Sequence, residues 1–247
     1  MGMDKKREIV WFSCGAASAC AAKLATEKYK EDLEIIYCDT LAYEHPDNIR
    51  FLRDVENWLG VEIKILKSKK YTDIYDVFDK TGWLVGPGGA RCTTELKKVV
   101  RKDYQRVDDV HIFGLTVDEK TRINRLEHNN FELTFDWILR DNAITKQKCF
   151  DMLYKANIET PAMYKLGYKN NNCIGCVKGQ AGYWNKIRVD FPEAFNKMAL
   201  QERKMNVSIH RKNGKKVFLD ELPPTMGNYL SEIDFECGSL CQMEMEL

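Results

Sequence analysis

The chain has 247 residues, and its 38 Lys and Arg are almost balanced by 37 Asp and Glu, for a formal net charge of +1. That length suits one substantial core with an appendage, and the charge balance excludes wholesale attraction to nucleic acid or membrane while leaving room for a local basic patch. No apolar run of about 18 residues and no signal-type segment follows the charged start MGMDKKREIV, so a soluble cytoplasmic protein without a membrane partner is expected; in that reducing setting the nine cysteines point to metal or redox chemistry.

In chain order, EIVWF (8–12) and LEIIYC (33–38) have strand length, and the Ala-rich stretch between them has few helix breakers. Pro46 opens a predicted helix through NIRFLRDVENWL, with Ile49, Leu52, Val55 and Leu59 at helical spacing, and VEIKIL (61–66) alternates as a strand does. VHIFGL (110–115) is a further buried strand, followed by a charged helix from Asp118 to Asn129 and a short apolar run at FELTF. Such alternation predicts an α/β fold, a doubly wound and mostly parallel sheet, because parallel strands need crossover connections that are usually helical. Ligands of these sheets bind beyond the carboxyl ends of the strands.

Two glycine-punctuated loops interrupt the pattern. Residues 81–98 hold four glycines and a proline ahead of a helix predicted to be capped by Thr93 or Thr94, which makes them a surface loop carrying Arg91 and Cys92. Residues 164–186 form the second. Beyond them lie a helix at FPEAFNKMALQERKM, a hairpin turning at Asn213-Gly214 and a tail with two more cysteines. The expected division is a nucleotide-binding domain over 1–176 and a C-terminal helical and hairpin extension over 177–247.

At the end of the first strand, Ser13-Cys14-Gly15 and Ser18 stand where a helix starts, so backbone N–H groups and hydroxyls face an anion that small side chains let approach. The alternative is a packing device of small residues. The loop has neither the Lys of a Walker sequence nor a full Gly-x-Gly-x-x-Gly. Asp39 and Thr40 end the second strand, suited to a nucleotide or metal site or to capping the next turn.

Together with Pro46, Asp47, Arg50 and Phe51, these residues resemble the PP-loop superfamily, and within it the phosphoadenylyl-sulfate (PAPS) and adenylyl-sulfate (APS) reductase family. FGLTVDEKTR and IETPAMYKLGY resemble two later segments of that family, so the likeness runs over about residues 8–176. It implies an adenine nucleotide alpha-hydrolase-like fold that holds an adenylyl nucleotide (PAPS, APS or ATP) in the first loop. It also implies Gly114 and Arg122 or Arg125 near the anion, where a planar guanidinium pairs well with phosphate or sulfate.

Cys173-Ile-Gly-Cys176, with Cys92 upstream, is similar to the iron-sulfur members of the family and implies a [4Fe-4S] cluster held by soft thiolates. Arg91-Cys92-Thr93 stands where that family has a Cys-Cys pair, so the fourth ligand falls to Cys237 or Cys241, or an iron stays open. Zinc on Cys173, Cys176, Cys237 and Cys241 is the rival, and a redox-active Cys173–Cys176 pair is another. The tail Glu236-Cys237-Gly238 resembles the end of the reductases, which implies Cys237, with Cys241, as the catalytic thiols, re-reduced by a dithiol protein such as thioredoxin or glutaredoxin. Cys14, Cys20, Cys38 and Cys149 read as small buried hydrophobes.

ATP-splitting relatives carry an Asp where this chain has Ala17, which favours a sulfonucleotide. The extension after Cys176 instead resembles iron-sulfur proteins that add sulfur to nucleic acid, and Tyr183 and Trp184 beside Lys186 and Arg188 offer either a stacking surface or a buried helix face. The leading expectation is a PAPS reductase-like enzyme. The alternatives are an ATP-dependent sulfurtransferase with a nucleic acid or other acceptor, and a non-catalytic nucleotide binder with structural zinc.

Overall fold

The computed structural model describes residues 6–29, 33–86, 88–232 and 235. Its centre is a five-stranded sheet of β1 (Glu8–Phe12), β2 (Leu33–Cys38), β3 (Ile63–Leu66), β6 (Val110–Phe113) and β7 (Thr134–Asp136). The strand order is β3-β2-β1-β6-β7, and every pairing is parallel. Between β3 and β6 the chain makes a two-stranded antiparallel ribbon, β4 (Val85–Gly86) with β5 (Gly89–Ala90).

Side chains alternate across a strand, so each strand serves two cores. Val10, Phe12, Ile35, Tyr37 and Ile112 face one, shared with α1 (Ala16–Tyr29), α2 (Asn48–Leu59) and α8 (Lys146–Lys155). Ile9, Trp11, Ile36, Cys38 and Phe113 face the other, with Val100 of α5 (Val99–Tyr104) and Ile123 and Leu126 of α6 (Lys120–Asn129). The chain first steps from β1 toward β2 and β3, then returns to the far side of β1 with β6. The reversal makes the carboxyl ends of β1 and β6 the switch point of the sheet, the place where such folds take ligands.

The alanines of α1 have a packing role: Ala16, Ala19, Ala21, Ala22 and Ala25 are fully buried, which lets the helix press close to the sheet. Cys14, Cys20, Cys38 and Cys149 are buried as well. In α2, Phe51 rather than Ile49 joins Leu52, Val55 and Leu59 in the core; the buried stripe runs through Asn48, Phe51, Leu52, Val55 and Leu59, which leaves Ile49 at its edge and about half exposed.

The helix after the first glycine-rich loop also starts earlier than a Thr93 or Thr94 cap predicts. It opens with α4 (Arg91–Thr93), passes through a π-helical stretch (Thr94–Lys98) and ends in α5. The start is held by the Arg91 N–H donating to the Leu84 carbonyl (3.0 Å) and by the Arg91 guanidinium pairing with Glu95 one turn on (2.6 Å). Arg91 and Cys92 therefore belong to the first helical turn.

The C-terminal part holds α9 (Ala162–Lys165), α10 (Ala181–Asp190), α11 (Pro192–Met205) and the hairpin β8 (His210–Lys212) with β9 (Lys215–Val217), which turns at Asn213-Gly214 through two positive φ angles. Its core is shared with the middle of the chain: Val77, Phe78 and Leu84 pack in one cluster with Cys176, Val177, Trp184 and Phe195. The expected boundary after residue 176 runs through this cluster. Tyr183 and Trp184 are buried, Lys186 pairs with Asp190 and Arg188 donates to the Leu219 and Leu222 carbonyls, so this helix is a core face and offers no stacking surface. Among the described residues no helix is long and apolar enough to cross a membrane.

Glu202 closes the hairpin onto α11. Its fully buried carboxylate accepts the N–H groups of Ile209 and Leu219, both at 2.6 Å. Burial outweighs those donors and pushes its pKa up to about 7. A raised pKa means that the folded state favours the protonated form, so the contribution is full below the ordinary carboxyl range and is lost as pH rises through 7. Glu202→Ala, which orphans two N–H groups at about 1–3 kcal/mol each, is expected to lower the thermal midpoint clearly. In Glu202→Gln the fall of the midpoint between about pH 5 and 7.5 should flatten; circular dichroism melts of both variants check this, and an unchanged slope would contradict the assignment.

Candidate functional site

The loop leaving β1 takes a shape set by Ser18. The Ser18 hydroxyl accepts the N–H groups of Ser13 (3.1 Å) and Gly15 (3.3 Å), lies 3.2 Å from the Ser13 hydroxyl, and donates to the Gly15 carbonyl (2.9 Å). Two N–H groups expected to face an anion are thus already engaged by a side chain that can turn away. Cys14 takes a left-handed backbone conformation, with φ of 59°, and its thiol is buried against the Asn48 carbonyl at 3.6 Å. Burial pushes that thiol's pKa well up, so it is a core group and no nucleophile.

Gly114, just past β6, meets this loop from the other strand. A Cβ at Gly114 would stand 2.4 Å from the Ser18 nitrogen and 2.8 Å from the Ala17 carbonyl carbon, so only glycine admits this approach of strand end to helix start. Thr116 and Glu119 then form a capping box, with the Glu119 carboxylate accepting the Thr116 N–H at 2.9 Å. The same carboxylate holds Arg122 at 2.7 Å, which fixes that guanidinium in the first turn of α6. Arg125, one turn on, is exposed.

At the end of β2 the two expected residues diverge. Asp39 accepts the Leu41 N–H at 3.1 Å and pairs with Lys67 at 3.4 Å, beside a cavity of about 330 Å³ that is also lined by Tyr43, Lys69, Lys70 and Tyr71. Thr40 turns inward, lying 3.2 Å from the Tyr37 hydroxyl and donating to Glu44 at 2.6 Å.

From Thr40 a buried polar chain runs through the site. Glu44 accepts from Asn48 Nδ2 (2.6 Å), and Asn171 Nδ2 donates both to Asn48 Oδ1 (2.9 Å) and to the Cys14 carbonyl (2.6 Å). Glu44, Asn48 and Asn171 are all buried. The chain joins the loops after β1 and β2 to the segment that carries Cys173 and Cys176. None of these three was singled out from sequence. The one available signal was polarity where a core was due, at the start of an amphipathic helix and within a run of three asparagines.

The Cys173–Cys176 turn is held from inside. Tyr183 donates its hydroxyl to the Cys173 carbonyl (3.1 Å) and accepts the Cys176 N–H (3.0 Å), while the Ile174 N–H reaches the Tyr43 carbonyl (2.7 Å). Gly175 supplies the positive φ of 70° for the turn. Cys92 packs against the cluster that contains Cys176. Soft thiolates suit iron or zinc. Among the described residues, however, no group of three or more His, Cys, Asp or Glu side chains stands close enough to hold a metal ion, and the three thiols alone do not make a ligand set. Cys237 and Cys241 lie outside the described residues.

No family model matches the chain. An uncharacterized protein of Methanocaldococcus jannaschii is 23% identical over 205 residues, covering 78% of this chain and 41% of that protein. The chain thus spans about two fifths of the length of this relative.

The close approach at Gly114 makes a direct prediction. Gly114→Ala must push the start of α1 aside, and it is expected to cost at least about 1 kcal/mol, a fall of roughly 2–4 °C in the thermal midpoint for a chain of this size. Asn171→Ala leaves the Cys14 carbonyl without its side-chain donor and should cost about 1–3 kcal/mol in the same melt. Wild-type midpoints for both variants would contradict this geometry.

Proposed function

We propose that the chain is an enzyme of the PAPS reductase-like kind, binding an adenylyl nucleotide at the carboxyl ends of β1 and β6 and acting on its sulfur. The observation that carries the reading is the meeting of the Ser13–Gly15 loop with Gly114 at the reversal point of a parallel sheet, where such folds take ligands. The nucleotide's anionic end would displace the Ser18 hydroxyl from the Ser13 and Gly15 N–H groups and lie on the start of α1, with Arg122 on the neighbouring helix completing the charge. Asp39 and the cavity beside it suit the nucleoside.

In the reductive reading a tail thiolate, Cys237 or Cys241, attacks the sulfur of the sulfonucleotide. The bond from sulfur to the phosphate oxygen breaks, the adenosine phosphate leaves and the cysteine carries a sulfonate. Attack by a second thiol on the cysteine sulfur releases sulfite and leaves a disulfide, which a dithiol protein reduces. The resemblance also implies a [4Fe-4S] cluster that Cys92, Cys173 and Cys176 would hold, with Cys237 or Cys241 as the further ligand or one iron left open; zinc on Cys173, Cys176, Cys237 and Cys241 is the rival.

A second reading, ATP-dependent sulfur transfer to an acceptor, is favoured by Arg91. It replaces one cysteine of the family's pair and is committed to Glu95. Ala17 weighs against it.

Anaerobic incubation with PAPS, APS and ATP in turn, with a dithiol, separates the readings. Sulfite release from a sulfonucleotide supports the first, AMP or pyrophosphate release from ATP the second, and no turnover of any contradicts both. Ser13→Ala is expected to weaken nucleotide binding about tenfold by calorimetry, because it removes a hydroxyl, bonded to Ser18 in the free protein, that would pass to the anion when Ser18 is displaced. Metal analysis of the same preparation distinguishes iron from zinc.

A further inference from the structure

After the β8–β9 hairpin the chain returns to the body as a strap. The Glu232 carboxylate accepts the Gly182 and Tyr183 N–H groups, the latter at 2.9 Å, and so caps the open start of α10. The Tyr229 hydroxyl accepts the Lys169 N–H at 2.7 Å, and Lys169 Nζ donates to the Glu232 carbonyl at 2.5 Å. The approach is close, because a Cβ on Gly182 would stand 2.4 Å from the Tyr229 nitrogen.

Phe235 is fastened to the run of three asparagines. Asn170 Nδ2 and Asn172 Nδ2 both donate to its carbonyl, at 3.0 and 2.9 Å, and its ring meets that of Tyr183 edge to face at 5.1 Å. Two donors use both lone pairs of that one oxygen. Asn171, between them, reaches the other way and donates to the Cys14 carbonyl at 2.6 Å. One run of amides therefore holds the loop after β1 with its middle member and the C-terminal chain with its outer two. Cys237 lies outside the described residues, but it follows Phe235 by two residues, and covalent geometry keeps its Cα within about 7 Å of that of Phe235.

We propose that Asn170 and Asn172 are positioning residues for the tail thiol: by seating Phe235 they start the link to Cys237 at the run that also holds the anion loop, instead of leaving it wherever a free tail could reach. The proposal rests on the reductive reading of the site. In that step the Cys237 thiolate forms a bond to the sulfur of the sulfonucleotide, the bond from that sulfur to the bridging oxygen breaks, and its electron pair leaves with the adenosine phosphate. Neither asparagine touches the reacting atoms. Their effect is on how often the thiol is in place, and holding a group that is otherwise loosely tethered raises its rate by about tenfold or more.

The test uses the full chain as wild type, as the double variant Asn170→Ala/Asn172→Ala and, to loosen the strap at its other anchor, as Glu232→Ala. Hydrogen–deuterium exchange without nucleotide should show residues 228–235 losing protection by at least about tenfold in both variants. With PAPS or APS and no reductant, peptide mass spectrometry should show the sulfonate accumulating on Cys237 of the double variant at least about tenfold more slowly than on the wild type, while its calorimetric affinity for AMP stays within about twofold. Slower sulfonation at unchanged affinity marks positioning, since a merely structural loss would lower affinity and thermal midpoint together. Wild-type exchange at 228–235, sulfonation at the wild-type rate, or affinity falling in step with the rate would overturn the proposal. A wild type that never gains a sulfonate overturns the reductive reading instead, and exchange at 228–235 then decides alone whether the asparagines seat the strap.

Discussion

The site depends on one buried hydrogen-bonded chain, Thr40–Glu44–Asn48–Asn171, which ends on the Cys14 carbonyl. A carboxylate taken out of water is costly unless its oxygens are met, and Glu44 is met by Thr40 on one oxygen and Asn48 on the other. The cost makes the arrangement specific, because moving any member strands another in a low-dielectric interior. Three loops with no covalent reason to meet are therefore locked together: the turn after β1, the turn after β2 and the segment leading into the Cys173–Cys176 turn. The loop after β1 is thus tied to the segment before Cys173 by a single side chain, Asn171, and to the loop after β2 through Asn48.

Around that chain the backbone is shaped by close approach. Gly114 lets the end of β6 touch the start of α1, and the alanines of α1 let the helix sit low on the sheet. Ser18 satisfies the Ser13 and Gly15 N–H groups from within the loop, which holds the turn together around the left-handed Cys14. On the far side Tyr183 spans the cysteine turn from within the core, which ties thiol geometry to the packing of α10 instead of to a loop.

Much of the fold was legible because parallel strands buried on both faces leave unbroken apolar runs, and EIVWF, LEIIYC and VHIFGL each became a central strand. Helix starts were less legible. Arg91 begins its helix through a long-range bond to Leu84 and an ion pair to Glu95, neither of which local propensity contains. The small-residue loop could be located, but Ser18's role depends on how the turn closes. Glu44, Asn48 and Asn171 were invisible for a related reason: a buried polar residue is recognisable only when its partners are known, and these lie up to 157 residues apart in sequence. At Tyr183 and Trp184 the sequence left a stacking surface and a buried helix face both open, since aromatics beside cations describe either, and their burial decides for the core helix.

Hydrogen–deuterium exchange with and without adenosine 3′,5′-bisphosphate or AMP tests the central claim most directly, because it reads the linked loops together. The account predicts protection on binding over residues 13–19, 39–48 and 114–122, accompanied by protection at 171–176 through Asn171, and loss of that last response in Asn171→Ala. Protection confined to other parts of the chain, or a response at 171–176 that survives Asn171→Ala unchanged, would contradict it.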